Sequence, residues 1–212
     1  VATFKRHSDE NAKSGAFGIM QGIADIKADG GNVVFTLSTG NADLPYLLAD
    51  YPQAQRAYEP AKRPFLISRA GAAGMQRYVQ TWSGDNYTSW ETLRYNVKMA
   101  MGLALSGVSN TGHDIGGFSG PAPEPELFLR WVQHGIFLPR FSIHSWNDDK
   151  SVNEPWMYPQ ITPHIRTLIK FRYRLMPYLY DLLWRSHTRF EPMIRPTFYE
   201  FPQDQNCFRE ND

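Results

Sequence analysis

The sequence predicts an α/β fold built on a parallel sheet. The first observation is an alternation of strand-like, loop and helical segments from residue 32 to about residue 188, which is typical of βαβ units. The second is the short apolar run 64–68, bounded by proline and by an Ala-Gly pair, which is typical of a strand buried on both faces of a parallel sheet. A doubly wound sheet and a (β/α)8 barrel both fit this alternation.

The first 60 residues contain one clear strand between less regular segments. Apolar residues at mixed helical spacing predict a helix over 14–29, which a glycine pair ends. The β-branched and aromatic run 33–37 predicts a buried strand. A loop over 41–45 and a helix over 46–58 are expected to follow.

Three helices are predicted in the rest of the chain. Ser89 is a suitable N-cap and Gly107 a suitable stop for the first of them, and Pro177 predicts a kink in the last. The proline-flanked segment 193–201 is expected to be extended. The helices cover 89–106, 124–136 and 162–188, and the predicted strands cover 108–111 and 140–143. Aromatic side chains at helical spacing in the last helix are expected to lie in the core, namely Phe171, Tyr173, Tyr178, Tyr180 and Trp184.

Composition and charge exclude several classes of function. With 22 Lys and Arg against 21 Asp and Glu, the formal net charge of +1 provides no general attraction for nucleic acid. The single cysteine, Cys207, excludes an intrachain disulfide framework and fits a reducing compartment, so a cytoplasmic location is expected. No apolar run reaches the roughly 18 residues that a membrane span needs. The polar residues 1–11 do not resemble a signal peptide.

Four polar side chains follow the predicted strands closely in sequence. A (β/α)8 barrel builds its active site from the carboxyl ends of its strands, so this placement favours a binding or catalytic site. The four residues are Arg69, Asp85, Asp114 and His144.

Asp85 has two interpretations. It lies in the turn 82–86, close to Trp82, and burial of a carboxyl group against an aromatic ring favours the protonated form that a general acid needs. Alternatively, Asp85 caps the turn or helix that follows, as aspartate often does in such turns.

The other two strand-end segments are equally open to a structural interpretation. The pair His113-Asp114 either binds ligand hydroxyls or completes a tight turn before two glycines, and His144 is either a ligand contact or a satisfied structural group. No histidine spacing matches a zinc site. The glycine pair lacks the remaining spacing of a phosphate-binding loop. No metal or cofactor is therefore expected.

Four blocks of residues, in order over roughly residues 42–205, carry the most specific signal. They are the segment 63–69, the turn 82–86, the segment 112–118, and the group formed by 139–144, 172–180 and 192–196. Together these blocks resemble glycoside hydrolase family 31, the α-glucosidase and α-xylosidase family. All four in this order are far more specific than any single motif.

The resemblance implies a (β/α)8 barrel and retaining hydrolysis of α-glucosides or α-xylosides with two carboxylates. The residue that matches the family's general acid/base is Asp85. Retention also requires a second carboxylate about 5–5.5 Å from the first, acting as nucleophile, and residues 1–41 contain no convincing match to it. The residues that match the sugar-binding positions are Arg69, Trp82, Asp114, Phe118 and His144.

The resemblance also implies an incomplete barrel. Residues 41–190 correspond to about strands five to eight, residues 191–212 to the start of a C-terminal β-domain, and residues 1–40 to a divergent or rearranged segment. An open half-barrel exposes strand edges and apolar surface, so self-association or a complementing N-terminal half is expected. The alternative to an active enzyme is an inactive carbohydrate-binding remnant, or a barrel half that needs a complementing chain.

Overall fold

The computed structural model describes residues 5, 9, 23–29, 32–38, 61–62, 65–69 and 74–209. The chain divides into two units, Val1–Val79 and Gln80–Asp212. The loop predicted over 41–45 and the helix predicted over 46–58 lie outside the described residues.

The first unit contains an antiparallel hairpin. Strand β1, Ile23–Asp29, pairs with strand β2, Asn32–Leu37, so the strand predicted over 33–37 is confirmed. Its predicted burial is wrong for the described side chains, since Val34 is 44% exposed. The predicted helix is wrong for residues 23–29, and its residues 14–22 lie outside the described part. Two glycines separate the paired residues Asp29 and Asn32. A two-residue connection of this composition favours a hairpin, and pairing with β2 overrides the weak helical spacing of the apolar residues in β1.

The run 65–69 is less buried than its composition predicts. Only Ile67 forms a bridge, and Phe65 and Ile67 remain 68% and 45% exposed. The prediction of a strand buried on both faces is therefore wrong within the described part of the unit. Among the described residues, no strand of a sheet pairs along this run.

A βαβ arrangement forms the centre of the second unit. Strands β3, Gly112–Ile115, and β4, Arg140–Ile143, pair in parallel, with Asp114 opposite Ser142. The helices are α1, Trp90–Leu105, α2, Pro125–Gly135, which connects the two strands, and α3, Thr162–Arg189. The predicted parallel pairing and the three predicted helices are confirmed here.

Strand β3 begins four residues later than the sequence predicts. The β-branched residues of 108–111 suggested a strand, but the pairing with β4 starts at Gly112. A Cβ atom on Gly112 would lie 2.2 Å from the carbonyl oxygen of Arg140. The missing side chain therefore permits the close approach of the two strands at this point.

The core of this unit lies between the sheet and the helices. Ser89 caps α1 as predicted, because its hydroxyl oxygen accepts a hydrogen bond of 3.1 Å from the Thr92 amide. Pro177 lies inside α3. Buried apolar side chains from β3, α2 and α3 pack together, among them Ile115, Phe128, Trp131, Val132, Ile136 and Ile165.

Two predictions at the C-terminal end are wrong. The aromatic side chains of α3 are largely exposed instead of buried, with Tyr173 at 74% and Trp184 at 59%, because the described residues cover only one side of this helix. Residues 197–200 form the short helix α4, Thr197–Glu200, within the segment predicted to be extended. Pro196 precedes this helix and Pro202 follows it, so the prolines bracket a single turn.

Candidate active site

The polar residues of the second unit gather around the ends of β3 and β4. Asp114 is the third residue of β3, and His144 directly follows β4. The turn 82–86 runs beside β3, since the Ser83 amide donates to the Gly112 carbonyl oxygen over 3.2 Å. The parallel strands therefore bring together two strand ends and one loop, as the sequence predicts.

Asp114 forms a buried ion pair with Arg140. The guanidinium Nη1 donates to Asp114 Oδ1 over 3.0 Å and to the His113 carbonyl oxygen over 3.3 Å. Burial raises the pKa of Asp114 above its ordinary value, although the adjacent Arg140 acts in the opposite direction. The second carboxylate oxygen, Oδ2, is buried and has no hydrogen-bond partner within the described part of the chain.

Aromatic rings lie near this ion pair and near the end of β4. The Arg140 guanidinium lies over the Trp82 ring, 5.4 Å from its centroid, and the Phe118 and His144 rings are 5.2 Å apart. His144 and Asp85 both lie close enough to affect the pKa of the Asp114 carboxyl group electrostatically. Trp82, Asp85, Asp114, Phe118 and His144 therefore belong to one neighbourhood in the second unit.

Asp85 is exposed, which differs from the burial that the sequence suggested. The carboxylate that is desolvated is Asp114. Gly84 has a φ of +84°, in the left-handed region that glycine accommodates readily. The N-cap of α1 is Ser89, so the alternative in which Asp85 caps this helix is wrong, and the alternative in which it caps the turn stays a prediction. Asp85 is therefore exposed to solvent, on a turn whose flanking residues are held by hydrogen bonds.

Hydrogen bonds hold this turn on both sides of Asp85. The Asn86 carbonyl oxygen accepts from the Phe118 amide over 2.7 Å and from the Ser119 amide over 3.1 Å. The Ser83 hydroxyl donates to the Asn86 side-chain oxygen and lies 2.8 Å from His113 Nδ1. The turn is thus fixed against β3 and the loop that follows it.

His113 is fully buried behind this turn. Burial, together with the neighbouring His134, lowers the pKa of His113 to about 4, against a weaker opposing effect of the Asn96 backbone carbonyl. The imidazole is therefore neutral near pH 7. Because Ser83 donates its hydroxyl proton to Asn86, His113 Nδ1 carries the proton and donates to Ser83.

Sequence reasoning missed Arg140 and Ser83 as parts of this site, and it considered His113 only with Asp114, as a ligand for hydroxyls or as part of a turn. A charged residue that opens a four-residue strand needs a counter-charge when the strand is central, and that signal would have indicated Arg140. Alternation along β3 places His113 and Asp114 on opposite faces, which would have assigned them different partners.

Arg69 belongs to the first unit, where its side chain is exposed. Among the residues described, no group of three or more His, Cys, Asp or Glu side chains is placed to hold a metal ion. No helix in the described ranges is long and apolar enough to cross a membrane.

Comparison with known proteins identifies a family. A family model described as the glycosyl hydrolases family 31 TIM-barrel domain matches residues 36–182. A probable glucan 1,3-alpha-glucosidase of Arabidopsis thaliana is 43% identical over 155 residues, which are 73% of this chain and 17% of that protein. Neutral alpha-glucosidase C of Mus musculus is 41% identical over 152 residues, or 71% of this chain and 17% of that protein.

Solved structures of such proteins resemble the chain in fold. The crystal structure of an ER glucosidase II heterodimeric complex, of catalytic subunit and binding domain of the regulatory subunit, matches with a TM-score of 0.73 and 30% identity. The match covers 80% of this chain and 19% of that one. The fold is therefore of the α/β-barrel type, and the chain spans less than a fifth of the length of these relatives.

Proposed function

The chain belongs to glycoside hydrolase family 31, and from this membership we propose that the protein is a retaining α-glycosidase of the α-glucosidase or α-xylosidase type. The observation that carries the proposal is the grouping around Asp114 of an exposed carboxylate, an imidazole and two aromatic rings. Hydrogen-bonding groups and apolar ring faces together suit a pyranose, which has hydroxyls at its edge and C–H groups on its faces.

We assign the binding roles within this group by the chemistry of each side chain. Asp114 Oδ2 is a buried acceptor without a partner in the described part of the chain, and a sugar hydroxyl would satisfy it. His144 is exposed and can donate to or accept from a second hydroxyl. Trp82 and Phe118 supply apolar ring faces. The sugar-binding role that the family resemblance implies for Arg69, in the first unit, stays a prediction.

Asp85 is proposed as the general acid/base. Its exposed carboxyl group can reach a leaving-group oxygen, and the hydrogen bonds of Ser83 and Asn86 limit the freedom of the turn that presents it. Such positioning lowers the entropic part of the barrier to proton transfer. In a retaining reaction a nucleophilic carboxylate, which a complementing chain would have to supply, attacks the anomeric carbon as the glycosidic C–O bond breaks, and Asp85 donates its proton to the leaving oxygen. Water then displaces that carboxylate from the anomeric carbon, and Asp85 accepts a proton from this water.

The nucleophile is proposed to be absent from these 212 residues. Asp114 is an unsuitable candidate, because the Arg140 guanidinium is paired with its carboxylate and reduces its nucleophilicity. We therefore expect little or no hydrolysis by the chain alone. Residues 41–190 are proposed to represent about strands five to eight of the barrel, residues 191–212 the start of a C-terminal β-domain, and residues 1–40 a divergent segment.

A second candidate function is that of a barrel half that binds a complementing chain or a second copy. The aromatic side chains exposed along α3 favour it, since large apolar surfaces mark interfaces. A complementing chain that supplies the nucleophile would convert this half into an active enzyme. If no such chain binds, the function that remains is carbohydrate binding.

Calorimetry with glucose and with a basic glucose-configured iminosugar tests the proposed site. A protonated iminosugar is attracted by a carboxylate, so Asp85→Asn should weaken its binding about tenfold and leave glucose binding nearly unchanged. Asp181→Asn is the matched control, because Asp181 is an exposed carboxylate on α3. Failure of the unmodified chain to bind either ligand at millimolar concentration would overturn the proposal.

A further inference from the structure

The segment that follows β4 carries an exposed tryptophan that the proposed chemistry does not use. Trp146 is 73% exposed, although tryptophan is normally well buried on average. Single exposed apolar residues are common and need no explanation. Trp146 differs because of its place beside His144 and because of the hydrogen bonds that hold its backbone.

Trp146 and His144 lie on the same side of their segment. Burial alternates from residue 144 to residue 147, with His144 and Trp146 exposed and Ser145 and Asn147 buried. Such alternation is the pattern of an extended chain, in which every second side chain shares a face. The indole is therefore the next side chain along the face that presents the His144 imidazole.

The backbone of Trp146 is held from the opposite strand end. Its amide donates to the Phe118 carbonyl oxygen over 2.7 Å, and the Phe118 ring contacts the His144 ring at 5.2 Å. Two residues later, the Asp148 amide donates to the Gly120 carbonyl oxygen over 2.8 Å. The indole thus adjoins the proposed sugar site through Phe118 as well as through His144.

Buried asparagines hold the loop beyond Trp146. Asn147 donates from Nδ2 to Ser151 Oγ over 2.9 Å and to Asn153 Oδ1 over 3.1 Å. The Asn153 amide donates to Ser145 Oγ over 2.7 Å, and its side chain donates to the Gly117 carbonyl oxygen over 3.1 Å. A loop fixed in this way presents the indole with little loss of conformational entropy when a ligand binds.

We propose that Trp146 is the stacking platform for a second pyranose ring, the one linked to the sugar held at His144 and Asp114. This inference rests on the proposed function and adds the ligand class, a disaccharide or longer oligosaccharide. The flat indole face matches the C–H face of a pyranose, and their contact removes apolar surface from water. The exposed ring leaves that face open to the ligand.

Calorimetry with glucose and with an α-linked glucose disaccharide tests this assignment. Trp146→Ala should weaken disaccharide binding about tenfold and leave glucose binding unchanged. Trp146→Phe keeps an aromatic face and should retain most of the disaccharide affinity. The control is Trp184→Ala, which removes an exposed indole from α3 and should change neither affinity.

The outcomes separate this inference from the proposed function. If Trp146→Ala leaves disaccharide binding unchanged, or weakens glucose binding equally, the assignment is overturned while the site at His144 stands. If the unmodified chain binds neither sugar, the proposed function fails and this inference fails with it. Tryptophan fluorescence gives an independent readout of stacking: the quenching by the disaccharide in excess of that by glucose should be lost in Trp146→Phe and kept in Trp184→Ala.

Discussion

Asp114 and Arg140 form a buried ion pair between the two parallel strands at the centre of the second unit. The guanidinium Nη1 lies 3.0 Å from Asp114 Oδ1, and the two side chains are 1% and 9% exposed. Arg140 opens β4, and Asp114 lies opposite Ser142, two residues further along that strand. The pair therefore lies diagonally across β3 and β4 and holds the Asp114 carboxylate of the proposed sugar site in place.

The first prediction concerns the loss of one partner of this ion pair. Arg140→Met leaves the Asp114 carboxylate buried without a counter-charge, so the free energy of unfolding should fall by about 3–5 kcal/mol at pH 7. Urea unfolding followed by circular dichroism measures the change. Arg130→Met is the control, because Arg130 pairs with Glu126 on the surface of α2 and such pairs contribute little.

The second prediction concerns acid stability. The pKa of His113 is about 4 in the folded chain against 6.5 for an ordinary histidine. The unfolded chain therefore binds more protons between these values, and stability is lost as the pH falls from about 6.5 towards 4. Between pH 7 and pH 4.5 this effect is on the order of 2–3 kcal/mol.

The test compares the original chain with His113→Gln at both pH values. The variant should lose less unfolding free energy on acidification, because a glutamine does not titrate. The change in unfolding free energy between the two pH values is compared between the two proteins, so the contribution of Asp114, which both contain, cancels. The raised pKa of Asp114 has the opposite effect to that of His113, because it makes the folded chain less stable as the pH rises. Equal pH dependence in the two proteins would contradict the burial of a neutral His113.

The third prediction concerns the approach of β3 to β4. Gly112→Ala places a Cβ atom 2.2 Å from the Arg140 carbonyl oxygen, so the strands must separate and the unfolding free energy should fall by about 1–3 kcal/mol or more. Gly102→Ala is a matched control in α1, because its added Cβ meets no atom within 4 Å apart from the chain neighbours and the backbone of the same helix.

The control should change stability in the opposite direction. Alanine is favoured over glycine inside a helix by about 0.5–1 kcal/mol, so Gly102→Ala should raise the thermal midpoint. A Gly112→Ala variant as stable as the original chain would show that the two strands do not pair in this register.

Helices with clear local signals were predictable from the sequence. The Ser89 cap and Gly107 stop define α1 through interactions within a few residues, and the proline-led start of α2 does the same. Strand β4 was predictable from its composition. The family was predictable because four separate blocks kept their order.

Features that depend on distant partners were not predictable. The start of β3 follows from the carbonyl of Arg140, 28 residues further along the chain. Strand β1 is different, because the glycine pair before β2 is a local hairpin signal that the helical spacing of the apolar residues obscured. The burial of Asp114 and the exposure of Asp85 depend on which layers cover each loop. Local composition does not show which residues pack over a loop, so the sequence suggested Asp85 as the desolvated carboxylate, whereas the structure buries Asp114.

The heat of glucose binding to the original chain and to His144→Ala tests the proposed sugar site most directly. His144 is exposed, so its removal should leave the fold intact while glucose binding becomes about tenfold weaker. His164→Ala removes an exposed histidine from α3 and should bind glucose as the original chain does. No glucose binding by the original chain, or equal binding by His144→Ala, would contradict the sugar site at the ends of β3 and β4.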